Sequence, residues 1–248
     1  MRTLIASLIL LFSQSLSAQP VMVAVAANMK EAFTEISVLY KAGSKSDFRV
    51  VYGSSGNFTA QIMNGAPFKL FISADEHFPL ELYKQGKTMN EGSIYAIGKL
   101  VFISNQSSNK TLTKTKADIA KLISKANKIA IAKPELAPYG KAAIEYLKAE
   151  GLWDLAKDKL IYGDNIGVAT MYVTSGAADV GFTALSLASS TVVAKEASYI
   201  VLDGQQYQPI AQRMILMKGA PKEVIDLYQF MQSSQAKAVL QKFGYSTP

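Results

Sequence analysis

The sequence predicts an α/β fold of two lobes, each with a mainly parallel sheet flanked by helices. Short apolar runs typical of buried strands alternate along the chain with segments in which apolar residues recur at helical spacing. The chain has 248 residues, and the roughly 230 that follow an N-terminal export segment are generous for one doubly wound domain. Two smaller lobes therefore fit the length better.

The alternation also predicts the elements in order. Strands are expected at 21–25, 49–52, 70–72, 100–103 and 129–132. Helices are expected at 29–40, 58–63, 76–82, 140–150, 168–173, 224–231 and 236–243. Ser73 and Glu76 have the spacing of a capping box before the third of these helices. The polar stretch 104–116 predicts a solvated loop.

Residues 1–18 predict a secretory signal peptide that is cleaved after Ala18. Arg2 gives it a positive start, residues 4–12 form an apolar core, and Ser17 and Ala18 are small residues at the cleavage site. The core is shorter than the roughly 20 residues of a membrane-spanning helix, although an uncleaved anchor is the rival interpretation. Since the chain has no cysteine for lipid attachment, we expect a free protein in the periplasm of a Gram-negative bacterium.

The composition argues against an enzyme. The absence of cysteine excludes disulfides, thiolate metal sites and thiol nucleophiles, and a single histidine, His77, leaves little for a catalytic triad. No convincing carboxylate pair is visible, and we expect no cofactor and no free metal ion. The net charge of +7, which falls to +6 when Arg2 is removed, suggests an anionic partner. Because the lysines are dispersed, a nucleic acid is not expected.

Four strand-to-helix corners, at 26–29, 53–57, 134–141 and 163–167, carry the residues best suited to bind a ligand. Taken singly, each corner has a structural explanation: helix capping at the first, second and fourth, and a packed core tyrosine at the third. Asn28 is predicted to be such a cap. Together they are more specific, because ligands of open α/β sheets lie where strands end and helices begin. Backbone amides, Ser55 and Tyr139 would form a site of hydrogen-bond donors, which suits a fully ionised anion.

Short motifs at and between these corners span nearly the whole mature chain. They are VAVAANM (23–29), GSSGNFTAQI (53–62), NGAP (64–67), FISAD (71–75), YAIGKL (95–100), LAPYG (136–140), GLW (151–153), GFTALS (181–186) and FGY (243–245). In combination they resemble the periplasmic molybdate-binding proteins of the ModA type. The resemblance implies a two-lobe, type II periplasmic binding protein. Such a protein captures molybdate, and usually tungstate, for an ABC importer.

The resemblance also implies how the chain is divided into lobes and which partners the protein binds. Lobe 1 would comprise 19–97 plus 208–248, and lobe 2 would comprise 98–207, with the crossings near 96–99 and 207–212. The partners would be a small oxyanion and the transporter permease in the inner membrane, and the protein would be a monomer.

The family pattern assigns the oxyanion contacts residue by residue, and it involves molybdenum only as the oxyanion. Carried over, the contacts are Asn28, Ser55, Tyr139 and Ile166, with the amides of Ala27 and Gly56 as additions. Lys69 and Lys133 depart from the pattern, since acidic or amide residues are usual at these positions. They leave open the alternative that the same scaffold binds another oxyanion or a small organic anion.

Overall fold

A computed structural model describes residues 20–44, 47–105 and 115–248 of the chain. The predicted signal peptide at 1–18 and most of the predicted loop at 104–116 lie outside the described residues. In the described part, the strand before that loop extends to Asn105, and the helix after it begins at Lys116. Among the described residues, no helix is long and apolar enough to cross a bilayer.

Within the described residues, ten strands form two sheets, and these confirm the predicted two-lobe α/β fold. The first sheet contains β1 (Val21–Ala26), β2 (Phe48–Gly53), β3 (Phe68–Ile72), β4 (Ser93–Gly98) and β10 (Ile210–Leu216), in the order β2-β1-β3-β10-β4. The second contains β5 (Leu100–Asn105), β6 (Ile129–Ala132), β7 (Leu160–Gly163), β8 (Val180–Ala184) and β9 (Ala197–Val201), in the order β7-β6-β8-β5-β9. Both sheets thus follow one scheme, in which β1 and β2 correspond to β6 and β7.

Each sheet is mixed rather than fully parallel. The pairs β1–β2, β1–β3, β6–β7 and β6–β8 are parallel. The strands β10 and β5 run antiparallel to both of their neighbours. These two strands lie just after the chain crosses from one lobe to the other.

Helices cover both faces of each sheet, so the strands are apolar on both sides. The first lobe carries α1 (Lys30–Gly43), α2 (Ser55–Met63), α3 (His77–Lys84), α10 (Lys222–Phe230) and α11 (Ser234–Lys242). The second carries α4 (Lys116–Lys125), α5 (Pro138–Ala149), α6 (Trp153–Ala156), α7 (Ile166–Thr174), α8 (Leu185–Ala188) and α9 (Val193–Glu196). In β1, Val23 and Val25 pack into one core cluster, and Ala24 between them packs into another, as strand alternation requires.

The chain crosses between the lobes twice. Only Lys99 separates β4 from β5, so the first crossing is nearly direct. The second runs from the end of β9 to the start of β10, and its Tyr207 hydroxyl accepts a hydrogen bond from the Leu100 N–H at 3.1 Å. The two crossings are therefore tied together.

The predicted capping box at Ser73 and Glu76 is wrong. Glu76 itself precedes α3 and makes no side-chain cap bond. Asp75 Oδ1 instead accepts hydrogen bonds from the Phe78 N–H at 3.3 Å and the Ser73 hydroxyl at 3.0 Å. The bend after β3 therefore brings Asp75, rather than Ser73, to the first turn of the helix.

Candidate functional site

The four corners singled out in the sequence meet in one small cavity between the lobes. Two follow the neighbouring strands β1 and β2, and two follow the neighbouring strands β6 and β7. The cavity has a volume of about 10 Å³, which is room for about one water molecule. It is lined by Ala26, Ala27, Asn28, Gly53, Ser54, Ser55, Ala74, Ala137, Pro138, Tyr139, Asn165 and Ile166. None of these lining residues carries a formal charge.

Asn28 lies inside the 3₁₀ turn Ala27–Met29, and the residue before that turn is Ala26, so its predicted role as an N-cap is wrong. The Asn28 side chain is fully buried, and its Nδ2 donates to Gln212 Oε1 at 2.9 Å and to Tyr245 Oη at 2.8 Å. Its Oδ1 has no hydrogen-bond partner among the described residues. Since both Nδ2 hydrogens are engaged, Asn28 can offer an anion only its backbone N–H.

The second corner supplies two hydroxyl groups. Ser55 Oγ accepts a hydrogen bond from the Ala74 N–H at 3.0 Å, so its own hydrogen remains available to a ligand. Ser54 precedes α2, yet its side chain makes no cap bond. Its Oγ is buried and has no partner among the described residues, so a second donor is available in the cavity wall.

The Gly56 amide, predicted as an additional anion contact, bonds across the lobes in this structure. Its N–H donates to the Leu136 carbonyl of the other lobe at 2.9 Å. A methyl group on Gly56 would lie 2.9 Å from the Leu136 Cα, so only glycine allows this approach. Gly56 is therefore a point of close packing between the lobes, and its amide is not directed at the cavity.

Tyr139 enters the cavity from the first turn of α5, which begins at Pro138. Proline suits this position because its missing N–H would have had no partner in the helix. The Tyr139 side chain is buried, and its Oη accepts a hydrogen bond from Gln212 Nε2 at 3.1 Å. The hydroxyl hydrogen is therefore free to be donated elsewhere.

Burial keeps this phenol protonated. Desolvation raises the pKa of Tyr139 well above its ordinary value, and the nearby Tyr245 adds to the rise. The hydrogen bond from Gln212 and the amide of Asn28 act in the opposite direction and lower the pKa. Because burial outweighs them, Tyr139 is a donor throughout the neutral pH range.

The fourth corner presents the N-terminus of α7. Asn165 precedes the helix, and its Oδ1 accepts a hydrogen bond from the Val168 N–H at 3.1 Å, which confirms one of the two predicted caps. Ile166 is the first residue of the helix and lines the cavity. Its N–H belongs to the first turn, which has no acceptor within the helix, so it can serve as a donor.

The two lysines that depart from the family pattern do not line the cavity. Lys133 Nζ lies 2.6 Å from Asp164 Oδ1, and both side chains are exposed. The Asp164 carboxylate raises the pKa of Lys133 by hydrogen bonding and by its charge. The pair cancels its own charge and does not line the cavity, so attraction of an anion inside the cavity depends on N–H groups and helix N-termini.

A larger cleft of about 360 Å³ opens between the lobes beside this cavity. Lobe 1 contributes Asp75 and His77 to it, and lobe 2 contributes Glu135, Lys141 and Glu145. His77 is exposed there, as the sequence predicts. No cluster of three or more potential metal ligands occurs within 20–44, 47–105 and 115–248.

The structure brings five of the six predicted contact residues to the cavity wall: Ala27, Asn28, Ser55, Tyr139 and Ile166. The prediction leaves out Ser54 and Gln212. For Ser54 a signal exists, since the second corner offers two adjacent serines, but the sequence does not say which hydroxyl is turned into the cavity. For Gln212 no local motif exists, because its partners lie 73 and 184 positions away.

Comparisons with known proteins find relatives of similar length and the same fold. The family model for bacterial extracellular solute-binding proteins matches residues 21–246. A "Molybdate-binding protein ModA" of Rhodobacter capsulatus is 34% identical over 93% of this chain and 90% of its own length. The ModA protein of Azotobacter vinelandii is 33% identical over 92% of this chain and 90% of its own.

The solved structure of the periplasmic molybdate-binding protein of Azotobacter vinelandii superposes with a TM-score of 0.82. The superposition covers 92% of this chain and 99% of that one, at 30% identity. The two-lobe architecture is therefore shared along essentially the full length of that relative.

Proposed function

Because this chain belongs to the family of bacterial extracellular solute-binding proteins, we propose that it captures molybdate outside the cytoplasm for import by an ABC transporter. The family is one of solute-binding proteins rather than enzymes. The observation that carries the proposal is the uncharged cavity between the lobes, in which hydroxyl and first-turn N–H groups of four corners meet. Relatives at 34% and 33% identity are named as molybdate-binding proteins.

The donors of this cavity suit a doubly charged tetrahedral oxyanion. Ser55 and Tyr139 each accept one hydrogen bond from a protein N–H, so each hydroxyl hydrogen is left for an anion. Hydrogen bonds from such groups to an ionised acceptor are roughly twice as strong as bonds between neutral partners. Neutral donors also avoid the cost of burying an unpaired positive charge when the site is empty.

Binding requires the lobes to move. A cavity of about 10 Å³ is smaller than any tetraoxoanion, since it accommodates only about one water molecule. The walls belong to different lobes, so the ligand enters when the lobes part and the Gly56–Leu136 hydrogen bond between them opens. The molecule therefore works as a hinged clamp.

The affinity for sodium molybdate, measured by titration calorimetry on ligand-stripped protein, tests the proposal. Ser55→Ala and Tyr139→Phe should each weaken binding by about 1–3 kcal/mol, the cost of leaving a buried polar partner unsatisfied. Ser175→Ala and Tyr146→Phe are matched controls outside the cavity and should bind as the unmodified protein does. Unchanged affinity in both cavity variants would show that the site is misplaced.

Competition titrations identify the ligand class. We propose that tungstate competes with molybdate, because it has the same shape and charge. If sulfate, phosphate or a small carboxylate binds more tightly than molybdate, the scaffold serves another anion. The expected outcome is that molybdate and tungstate displace each other and that sulfate and phosphate displace neither.

We further propose that export uses the N-terminal segment 1–18, that the mature protein is a periplasmic monomer, and that it docks on a permease in the inner membrane. Mass spectrometry of the mature N-terminus tests the first point, and an N-terminus other than Gln19 would contradict cleavage after Ala18. Light scattering tests the monomer. Molybdate uptake by vesicles containing the transporter, with and without this protein, tests delivery.

A further inference from the structure

The Tyr139 hydroxyl is inserted among residues of the other lobe, at the point where the chain crosses between the lobes. Tyr139 belongs to α5 of lobe 2, whereas Gln212 lies on β10 and Gly98 ends β4, both in the first sheet. Gly98 pairs with Ile210, and Ala96 pairs with Gln212, so the two residues lie close together on neighbouring strands. We call the pair Gly98 and Gln212 the hinge seat.

Gly98 provides the space for this hydroxyl. A Cβ atom built on Gly98 would lie 2.0 Å from Tyr139 Oη and 2.6 Å from Gln212 Nε2. Real Cβ atoms do not approach other atoms this closely. The backbone of Gly98 does not have the positive φ that would by itself require glycine, so the reason for a glycine here is the space occupied by the Tyr139 hydroxyl and the Gln212 amide.

Gln212 fixes the direction in which the Tyr139 hydroxyl hydrogen points. Its Oε1 accepts a hydrogen bond from Asn28 Nδ2 at 2.9 Å. The Tyr95 hydroxyl lies 2.8 Å from the same oxygen, but its single hydrogen is shared with the Ser73 carbonyl at 2.8 Å. The Asn28 donor therefore sets which end of the amide is the oxygen, and Nε2 faces Tyr139 Oη at 3.1 Å. With one lone pair held by Nε2, the Tyr139 hydrogen points away from Gln212.

We propose that the hinge seat positions the Tyr139 hydroxyl for the ligand, and that Gln212 is a positioning residue that holds both Tyr139 and Asn28 in place. The hydroxyl reaches the seat only when lobe 2 lies against lobe 1, so seating couples donor orientation to closure of the clamp. This inference rests on the proposed function for its ligand, since the seat itself does not line the cavity.

The test is a double-mutant cycle between Gly98→Ala and Tyr139→Phe, with sodium molybdate as the probe. In the unmodified protein, Gly98→Ala should weaken binding by about tenfold or more, because it displaces the hydroxyl. In the Tyr139→Phe background, the same change should weaken binding by a clearly smaller factor, because the contact with Gln212 Nε2 remains but no hydroxyl is left to be displaced. Equal losses in the two backgrounds would overturn the proposal.

Two further variants separate this role from a general effect on folding. Gly204→Ala, at a glycine of the second crossing with nothing within 4 Å of its would-be Cβ, should bind like the unmodified protein. Gln212→Leu keeps the approximate size of the side chain and should lose about tenfold or more in affinity, since it releases Tyr139 and Asn28 together. Normal affinity of Gln212→Leu would also overturn the proposal.

The hinge seat can still be tested if the protein does not bind molybdate. Failure of the unmodified protein to bind any oxyanion would refute the proposed function alone. The free energies of unfolding of the same four proteins, measured without ligand, would then test the contact between Gly98 and Tyr139. A Gly98→Ala cost that is clearly smaller in the Tyr139→Phe background supports the contact, and an equal cost in both backgrounds refutes it.

Discussion

The two lobes share one strand arrangement but use equivalent cap positions in different ways. The strands β2 and β7 occupy the same edge of their sheets, and each is followed by a helix at the cavity. In lobe 2, Asn165 uses its side chain to cap α7. In lobe 1, Ser54 occupies the same position before α2 and makes no cap bond. A cap engaged by its own helix fixes that helix, whereas an unengaged cap remains available to a ligand.

The two lobes also differ in the role of the glycine that lies in the first turn of a helix at the cavity. In lobe 2, a Cβ on Gly140 would lie 2.1 Å from the Ala132 carbonyl at the end of β6, within the lobe. In lobe 1, a Cβ on Gly56 would lie 2.9 Å from the Leu136 Cα of the other lobe and 3.0 Å from the Phe78 ring of its own lobe, so the backbone it meets belongs to the other lobe. One glycine therefore allows a helix to pack on its own strand, and the other allows the two lobes to come together.

The largest expected effect is that of Gly140→Ala on stability. The added methyl group must push α5 away from β6, which should lower the free energy of unfolding by about 3 kcal/mol. Urea denaturation of ligand-free protein measures this value. Gly56→Ala is the matched comparison, and it should lose clearly less stability, because the end of the Phe78 ring can shift and the lobes can part, while it binds molybdate more weakly. Equal destabilisation by the two changes would erase the distinction between the lobes.

The second effect concerns Asn165, whose side chain caps α7. Asn165→Ala removes the acceptor of the Val168 N–H and should lower the free energy of unfolding by about 1 kcal/mol, as is usual for loss of a cap. Asn165→Asp keeps the acceptor and should recover most of this loss. Denaturation curves of the two variants provide the comparison, and an Asn165→Ala protein of full stability would contradict it.

The third effect concerns Ser54, which precedes α2 but makes no cap bond. Ser54→Ala removes a buried hydroxyl that has no partner among the described residues, so the free energy of unfolding should change by about 0.5 kcal/mol or less. Its affinity for molybdate should nevertheless fall by about 1 kcal/mol if this hydroxyl donates to the ligand. Calorimetry and denaturation on the same variant separate the two quantities. A stability loss as large as that of Asn165→Ala would mean that Ser54 is an ordinary cap.

The smallest effect is a pH dependence of stability in the acid range that arises from Asp75 of lobe 1. Burial raises the pKa of Asp75 above 3.8, and hydrogen bonds from the Phe78 N–H and from Ser73 offset part of the rise. Because the folded state holds this proton more tightly than the unfolded state, the contribution of Asp75 to stability declines as pH rises from 3.8 through the folded pKa. Asp75→Asn should remove this slope. A slope of unchanged size in the variant would assign the effect to another group.

The sequence predicts the corners well because each is a local pattern. The strand at 129–132 has the predicted bounds, since a short apolar run lies between polar residues. The helix α7 begins two residues earlier than predicted, because the Asn165 cap allows Ile166 and Gly167 to join its first turn. Local chemistry therefore fixes where a corner lies, but not its last one or two residues.

The network behind the cavity is beyond such reasoning. The strand β10 carries Gln212 and Arg213, two polar residues that obscure the apolar pattern of a buried strand. They are tolerated there because Gln212 meets Asn28, Tyr95 and Tyr139, and because Arg213 binds Glu76 at 2.7 Å. These partners are distant in sequence, so only the assembled fold reveals why polar side chains occupy this strand.

The absence of charge in the cavity wall has a consequence for unloading. Tyr139 is the only lining residue with a titratable side chain in the part of the chain that the structure describes, and burial holds its pKa well above the neutral range. Protonation of the lining side chains therefore does not change the charge of the cavity wall between mildly acidic and mildly basic pH. Under the proposed function, separation of the lobes rather than titration of the wall would then release the anion.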